Sequence, residues 1–163
     1  MDLLLKIAEF SAGKIDYHQL PEIATEALCA NYDSESLRIL AGFDKSTVEY
    51  EVMFYFKKVL KELKIKLPDV EEAILLLSKD IAGRIISKNI SEYDGSKLIE
   101  GLLEKWPNGY SNVPNILWSF KCFASEIEDL QFAMEDGKNN YTDFIKVTKL
   151  KIIELAERML EEN

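Results

Sequence analysis

Side chains able to perform acid–base catalysis or to bind a metal are scarce in this sequence. The chain has a single histidine, His18, whereas a di-iron bundle needs two Glu-x-x-His pairs and a zinc protease helix needs two histidines. Cys29 and Cys122 are far apart and neither belongs to a CxxC pair. Such cysteines are typical of buried thiols that pack as small hydrophobes. We therefore predict no metal and no cofactor.

Paired carboxylates could replace histidine in acid–base work, but most acidic pairs here fall on predicted polar helix faces. The exception is Asp80 with Arg84, four residues apart on the most apolar predicted helix, where we expect both to point inward. We interpret them as an ion pair beside the core. The alternative is a polar anchor in a pocket between helices, which would suit a small-ligand-binding protein or an enzyme.

One basic cluster is present, near the end of a predicted helix: Lys57, Lys58, Lys61, Lys64 and Lys66. Lysines at this end of a helix complement its dipole. No arginine or aromatic residue alternates with them as in nucleic-acid-binding surfaces. The chain also carries 29 acidic against 20 basic side chains, a net charge of −9. We therefore predict no nucleic-acid partner, and the same charge disfavours an anionic membrane surface.

Aromatic residues mark the best candidate for a contact surface. The segment WPNGYSNVPN, 106–115, holds two prolines and an Asn-Gly pair and is predicted to be a structured loop. Trp106 and Tyr110 bracket its turn, and Trp118 follows on the next helix. These side chains could anchor a protein interface. They could equally fold inward and close one end of the core.

The elements that position these residues are predicted to be helices, because apolar residues recur at helical spacing nearly everywhere. Gly13 and Gly42 are expected to end helices in a left-handed turn, and Gly137 is expected to end a third helix. Ser46 with Glu49 forms an expected capping box. We predict an all-α fold, one compact bundle-like domain of about seven to eight helices over 1–163. The expected helices are 2–11, 21–30, 34–41, 47–64, 69–86, 91–105, 115–135 and 141–161.

Arg38 is the unexplained residue of the short third helix, and we expect it to pair with Asp33, Glu35 or Asp44 or to contact a partner. Its segment DSESLRILAGFD, followed by EVMFYFKKVLKELKIKLPD and IAGRIISKNISEYDGSKLI, resembles small uncharacterised bacterial helical proteins with a DSxxLRxLAG-type motif. The resemblance covers roughly residues 22–103. It implies a bacterial, intracellular helical domain and brings no activity, cofactor or site residue with it.

The acidic charge is concentrated in two segments, which indicates a function in protein binding. Residues 1–45 carry 4 basic and 8 acidic side chains, and residues 91–135 carry 3 and 8. The N-terminal apolar run ends after three residues, at Lys6, too short for a signal peptide. We predict a non-enzymatic cytoplasmic protein that binds a protein partner, in the manner of an inhibitor or immunity protein facing a basic toxin.

Overall fold

A computed structural model describes residues 2–135 and 140–161. Within these ranges the chain is all α, as predicted, with one short 3₁₀ helix at Tyr17–Gln19 and no strand. The predicted end of a helix at Gly137 lies outside the described residues. The α-helices are α1 Leu3–Ser11, α2 Leu20–Cys29, α3 Glu35–Ala41, α4 Glu49–Glu62, α5 Val70–Ile86, α6 Glu92–Leu103, α7 Asn115–Glu135 and α8 Thr142–Glu161.

The chain divides into two compact units, 1–73 and 74–163, and the boundary falls within α5. The prediction of one domain over 1–163 stays a prediction. In the first unit α3 packs on both α2 and α4, and α1 packs on α2. The rings of Phe10 and Phe56 meet edge to face, with centroids 5.1 Å apart. The core consists of Leu3, Ile7, Leu20, Ala24, Ala27, Leu37, Leu40, Val52, Phe56, Val59 and Leu60.

The ends of the helices in this unit follow the predictions in part. Gly13 has a φ of 66° after α1, the predicted left-handed turn that glycine adopts without strain. Gly42 ends α3 with a φ of −82°, so the prediction of a left-handed turn there is wrong. The predicted capping box at Ser46 is also wrong, because the Ser46 hydroxyl donates to Asp44 Oδ1 (2.6 Å) and α4 begins only at Glu49.

The second unit contains most of α5 together with α6, α7 and α8. α7 packs against both α6 and α8, and α6 also contacts α8. The buried side chains of these three helices include a polar pair, Ser96 and Thr148, whose hydroxyls donate to backbone carbonyls one turn earlier. The large buried side chains are Ile99, Leu102, Leu103, Leu117, Phe120, Ile127, Ile152, Leu155 and Met159.

Several helices leave apolar side chains exposed beside their buried stripes. Helical spacing also predicts Leu4, Leu76, Ile86, Leu98 and Phe144 in the core, and this prediction is wrong because all five are exposed. Successive side chains of an α-helix are about 100° apart around its axis. Shifting the predicted buried stripe of α1 by one position therefore exposes one apolar residue and buries its neighbour. None of the helices in the described part of the chain has the length and apolar composition needed to cross a membrane.

Candidate interaction surface on α7

Trp106 and Tyr110, the two aromatic residues of the loop before α7, have different environments. The Trp106 side chain is only 5% exposed. Its indole Nε1–H donates to the Ser111 carbonyl oxygen at 3.2 Å. Trp106 therefore follows the inward alternative and holds the loop from the inside, so it is not available as an interface anchor.

Tyr110 and Trp118 instead form an exposed pair. Their ring centroids lie 5.3 Å apart in an edge-to-face arrangement, and the residues are 46% and 39% exposed. Lys121 Nζ lies 4.4 Å from the Tyr110 ring centroid and 5.5 Å from that of Trp118. The same ammonium group donates to the Tyr110 hydroxyl at 3.2 Å, which raises the pKa of Lys121. The lysine thus fixes both rings at the surface.

Trp118 lines a shallow depression that runs along α7, together with Lys121 and Leu130 among others. We call its five outward positions the α7 surface: Trp118, Cys122, Ser125, Glu126 and Asp129. Spacings of four, three, one and three residues place these side chains on one face of the helix. Within the described residues neither Glu126 nor Asp129 forms an ion pair. Both carboxylates therefore have no cationic partner in the described part of the chain.

A polar network on the adjacent side of α7 uses the other carboxylates of this region. Glu128 accepts hydrogen bonds from the Tyr93 hydroxyl (2.7 Å) and lies 3.0 Å from Lys97 Nζ. These contacts, the tyrosine bond first, lower the pKa of Glu128. Lys97 Nζ also lies 2.5 Å from Glu100, and this bond is the larger of the two that raise the pKa of Lys97. The network joins α6 to α7 and stabilises the helix that carries the α7 surface.

Asp80 and Arg84 do not form the polar anchor in a pocket that the sequence allowed. Arg84 Nη1 lies 3.8 Å from Asp80 Oδ2, and the two side chains are 45% and 36% exposed. The expectation that both point inward is wrong, because their position on α5 faces solvent while Ala73, Ile74, Leu77, Ile81 and Ile85 are buried. A long, half-exposed ion pair of this kind contributes little to stability.

Arg38 and His18 are both accounted for by local contacts. Of the three acids considered for Arg38, the structure selects Asp33: Nε donates to Oδ1 at 2.8 Å and Nη2 to Oδ2, which raises the pKa of Arg38. The His18 ring stacks on Tyr17 with centroids 3.8 Å apart, and its backbone N–H donates to Asp16. Cys29 and Cys122 are exposed, so the prediction of buried thiols is wrong.

The lysine cluster of α4 has aromatic neighbours that the sequence analysis missed. Tyr50 is 82% and Phe54 44% exposed, on the same face as the lysines. Lys58 Nζ lies 4.7 Å from the Phe54 ring centroid and 5.4 Å from that of Tyr55. No aromatic residue alternates with the lysines in the sequence. Phe54 and Tyr50 precede them by one and two turns, and helical spacing places such residues beside the lysines. We call Tyr50, Phe54, Lys57, Lys58 and Lys61 the α4 surface.

Neither of these two described surfaces contains a cluster of metal ligands. Among the described residues no group of three or more His, Cys, Asp or Glu side chains could hold a metal ion. No family model, curated protein or solved structure matches this chain. The α7 surface carries fixed aromatic rings at one end and, about 12 to 16 Å further along the helix, two carboxylates that form no ion pair within the described residues.

Proposed function

We propose that this protein is a non-enzymatic interaction module whose α7 surface binds a basic segment of a protein partner, as an inhibitor or immunity-type protein binds a cationic toxin. The observation that carries the proposal is the exposed Tyr110–Trp118 pair, held by Lys121 on the same helix face as two carboxylates that have no ion pair among the described residues. Exposed tryptophan and tyrosine are common anchors of protein interfaces. A rigid aromatic pair also loses little side-chain entropy when a partner binds.

The distances along α7 set the size of the segment that fits. Trp118 and Asp129 are eleven positions apart, about 16 Å along a helix with a rise of 1.5 Å per residue. Lysine or arginine side chains at one end of a partner segment would meet Glu126 and Asp129. An apolar or cationic side chain at the other end would rest on the rings of Trp118 and Tyr110. The α7 surface would therefore bind a segment with both features more tightly than a segment that is only basic.

The charge of the surrounding sequence supports the same class of partner. Residues 91–135, which contain α6 and α7, carry 3 basic and 8 acidic side chains. Two of those lysines, Lys97 and Lys121, are already engaged with Glu100. The remaining negative potential would steer a cationic partner toward this side of the second unit.

The proposal is tested with an arginine-rich peptide that also contains leucines, followed by tryptophan fluorescence and calorimetry. The chain has two tryptophans, and Trp106 is buried, so a change in emission on binding reports on Trp118. We expect Glu126→Gln with Asp129→Asn to weaken binding by about tenfold or more, which corresponds to about 1.4 kcal/mol.

A matched control separates local recognition from net charge. Glu154→Gln with Glu157→Gln changes the total charge by the same amount at two exposed positions of α8. Binding by this variant should equal that of the unmodified chain. An equal loss in both double variants, or peptide binding with no change in Trp118 emission, would overturn the proposal.

A further inference from the structure

We infer that a basic segment recognised by the α7 surface is the α4 surface of a second copy of this chain. This inference rests on the proposed function of the α7 surface. It begins from the length of the two surfaces, which is equal because each follows one face of an α-helix over about three turns. Positions 50, 54, 57, 58 and 61 of α4 and positions 118, 122, 125, 126 and 129 of α7 both advance by four, three, one and three residues. Each set spans about 16 Å of helix.

The chemistry of the two surfaces is complementary in the same order. Each begins with an exposed aromatic residue, Tyr50 on α4 and Trp118 on α7. Each ends with exposed charged residues, Lys58 and Lys61 on one and Glu126 and Asp129 on the other. When two such helices lie parallel, aromatic rings meet at one end and opposite charges at the other. In the antiparallel orientation the charged ends would instead face the aromatic ends.

The charged groups of both surfaces are available for this contact. Among the described residues Lys57, Lys58 and Lys61 form no ion pair, as is true of Glu126 and Asp129. Glu62, the nearest acid after Lys61, is occupied by two hydrogen bonds from Ser36. Lys58 lies over the Phe54 and Tyr55 rings, which hold its ammonium group at the surface.

The symmetry of the contact follows from the use of two different surfaces. A contact between α4 of one copy and α7 of another is heterologous, so each dimer retains one unused surface of each kind. Association would therefore continue with concentration unless a ring closes. Two single-helix faces are small compared with a standard stable interface, and the chain carries nine net negative charges. We expect weak association that depends on protein concentration.

Sedimentation velocity over a wide concentration range tests the inference. The weight-average mass of the unmodified chain should rise above that of the monomer at high concentration. Two charge-reversed double variants, Lys58→Glu with Lys61→Glu and Glu126→Lys with Asp129→Lys, should each remain monomeric. Circular dichroism checks that both variants keep their helices. The control Lys14→Glu with Lys45→Glu, at exposed positions of the first unit, should associate as the unmodified chain does.

The decisive sample is an equimolar mixture of the two charge-reversed variants. One variant keeps an intact α7 surface and the other an intact α4 surface, and the two reversed surfaces are also opposite in charge, so the mixture should associate although neither variant does so alone. A chain that stays monomeric at every concentration, or a mixture that does not associate, overturns the inference. If the arginine-rich peptide still binds through Glu126 and Asp129 in that case, only the second copy is rejected as the partner. Loss of both activities rejects the proposed function as well.

Discussion

At the scale of single residues, one side chain joins two helices of the first unit. Glu62, at the end of α4, accepts hydrogen bonds from the Ser36 backbone N–H (3.0 Å) and from its hydroxyl (2.6 Å). Ser36 is buried in the first turn of α3. Free N–H groups at a helix start attract a carboxylate. The two bonds lower the pKa of Glu62, the hydroxyl bond most strongly.

Glu62→Gln should lower the melting temperature at neutral pH. A carboxylate whose pKa is lower in the folded state stabilises the fold above its unfolded pKa, and that stabilisation is lost as the pH falls through the folded value. The difference in melting temperature between the unmodified chain and Glu62→Gln should therefore be full at pH 7 and shrink below about pH 4.3. Thermal melts followed by circular dichroism measure it. A difference that is the same at neutral and acidic pH would contradict this.

Residue-level predictions from the sequence succeeded where the partners are close in the chain. Asp33 was among three acids considered for Arg38, and only the structure selects it. The bond from Ser36 to Glu62 joins residues 26 positions apart. Such a pair depends on how α3 packs on α4, which periodicity alone does not determine.

At the scale of elements, α6 contains two glycines with opposite roles. Gly95 is buried, and a Cβ there would lie 2.5 Å from Ile85 Cδ1 and Cγ1. Gly101 is exposed, and a Cβ there would meet nothing within 4 Å. A glycine inside a helix indicates close packing, but neither Gly83 nor Gly101 has a neighbour within that distance. The close approach between α5 and α6 is at Gly95 instead.

The two α6 glycines should respond in opposite directions to alanine. Gly101→Ala should stabilise the protein by about 0.5–1 kcal/mol, because alanine restricts the unfolded chain and favours the helix. Gly95→Ala should destabilise it by about 1–3 kcal/mol, since the added methyl overlaps a branched side chain with few alternative rotamers. Urea denaturation measures both. Stabilisation by Gly95→Ala would show that Ile85 moves aside without strain.

The sequence was more informative about the extent of the helices than about their orientation. All eight predicted spans agree with observed helices to within about three residues at the described ends. α4 starts later than predicted because Ser46 is part of a turn with Asp44. Faces were harder to assign, as for Leu98 and Phe144, because a wide apolar stripe leaves several choices that only neighbouring helices resolve.

At the scale of the whole molecule, the apolar core is divided between the two units, whereas the net charge varies along the sequence. Each unit buries its own set of apolar side chains. The net charge of −9 is distributed unevenly over the sequence. Composition and periodicity were sufficient to predict the all-α class. They were not sufficient to separate Trp106 from Trp118, because burial of a loop tryptophan depends on the space left by α6 and α7.

If the protein binds a cationic partner, salt should act mainly on the association rate. Electrostatic steering accelerates encounter, and ions screen exposed charges beyond about 10 Å at 0.1 M ionic strength. Surface plasmon resonance with the arginine-rich peptide should show a rate of association that falls steeply with salt. The rate of dissociation should change less. Trp118→Ala should reverse this pattern by accelerating dissociation, and an unchanged dissociation rate in that variant would contradict the anchoring role of the ring.

The position of Lys121 has a further consequence for selectivity. Its ammonium group already lies against Tyr110 and Trp118, where a guest cation would also be attracted. An incoming cation must therefore use the ring area that Lys121 leaves open or displace the lysine toward Glu100, whose Oε1 is 3.7 Å away. A small free cation would gain little binding free energy by competing with Lys121 for the rings. If the α7 surface binds the proposed partner, a segment that brings apolar contact and charge together gains more, so Lys121 would select against isolated ions.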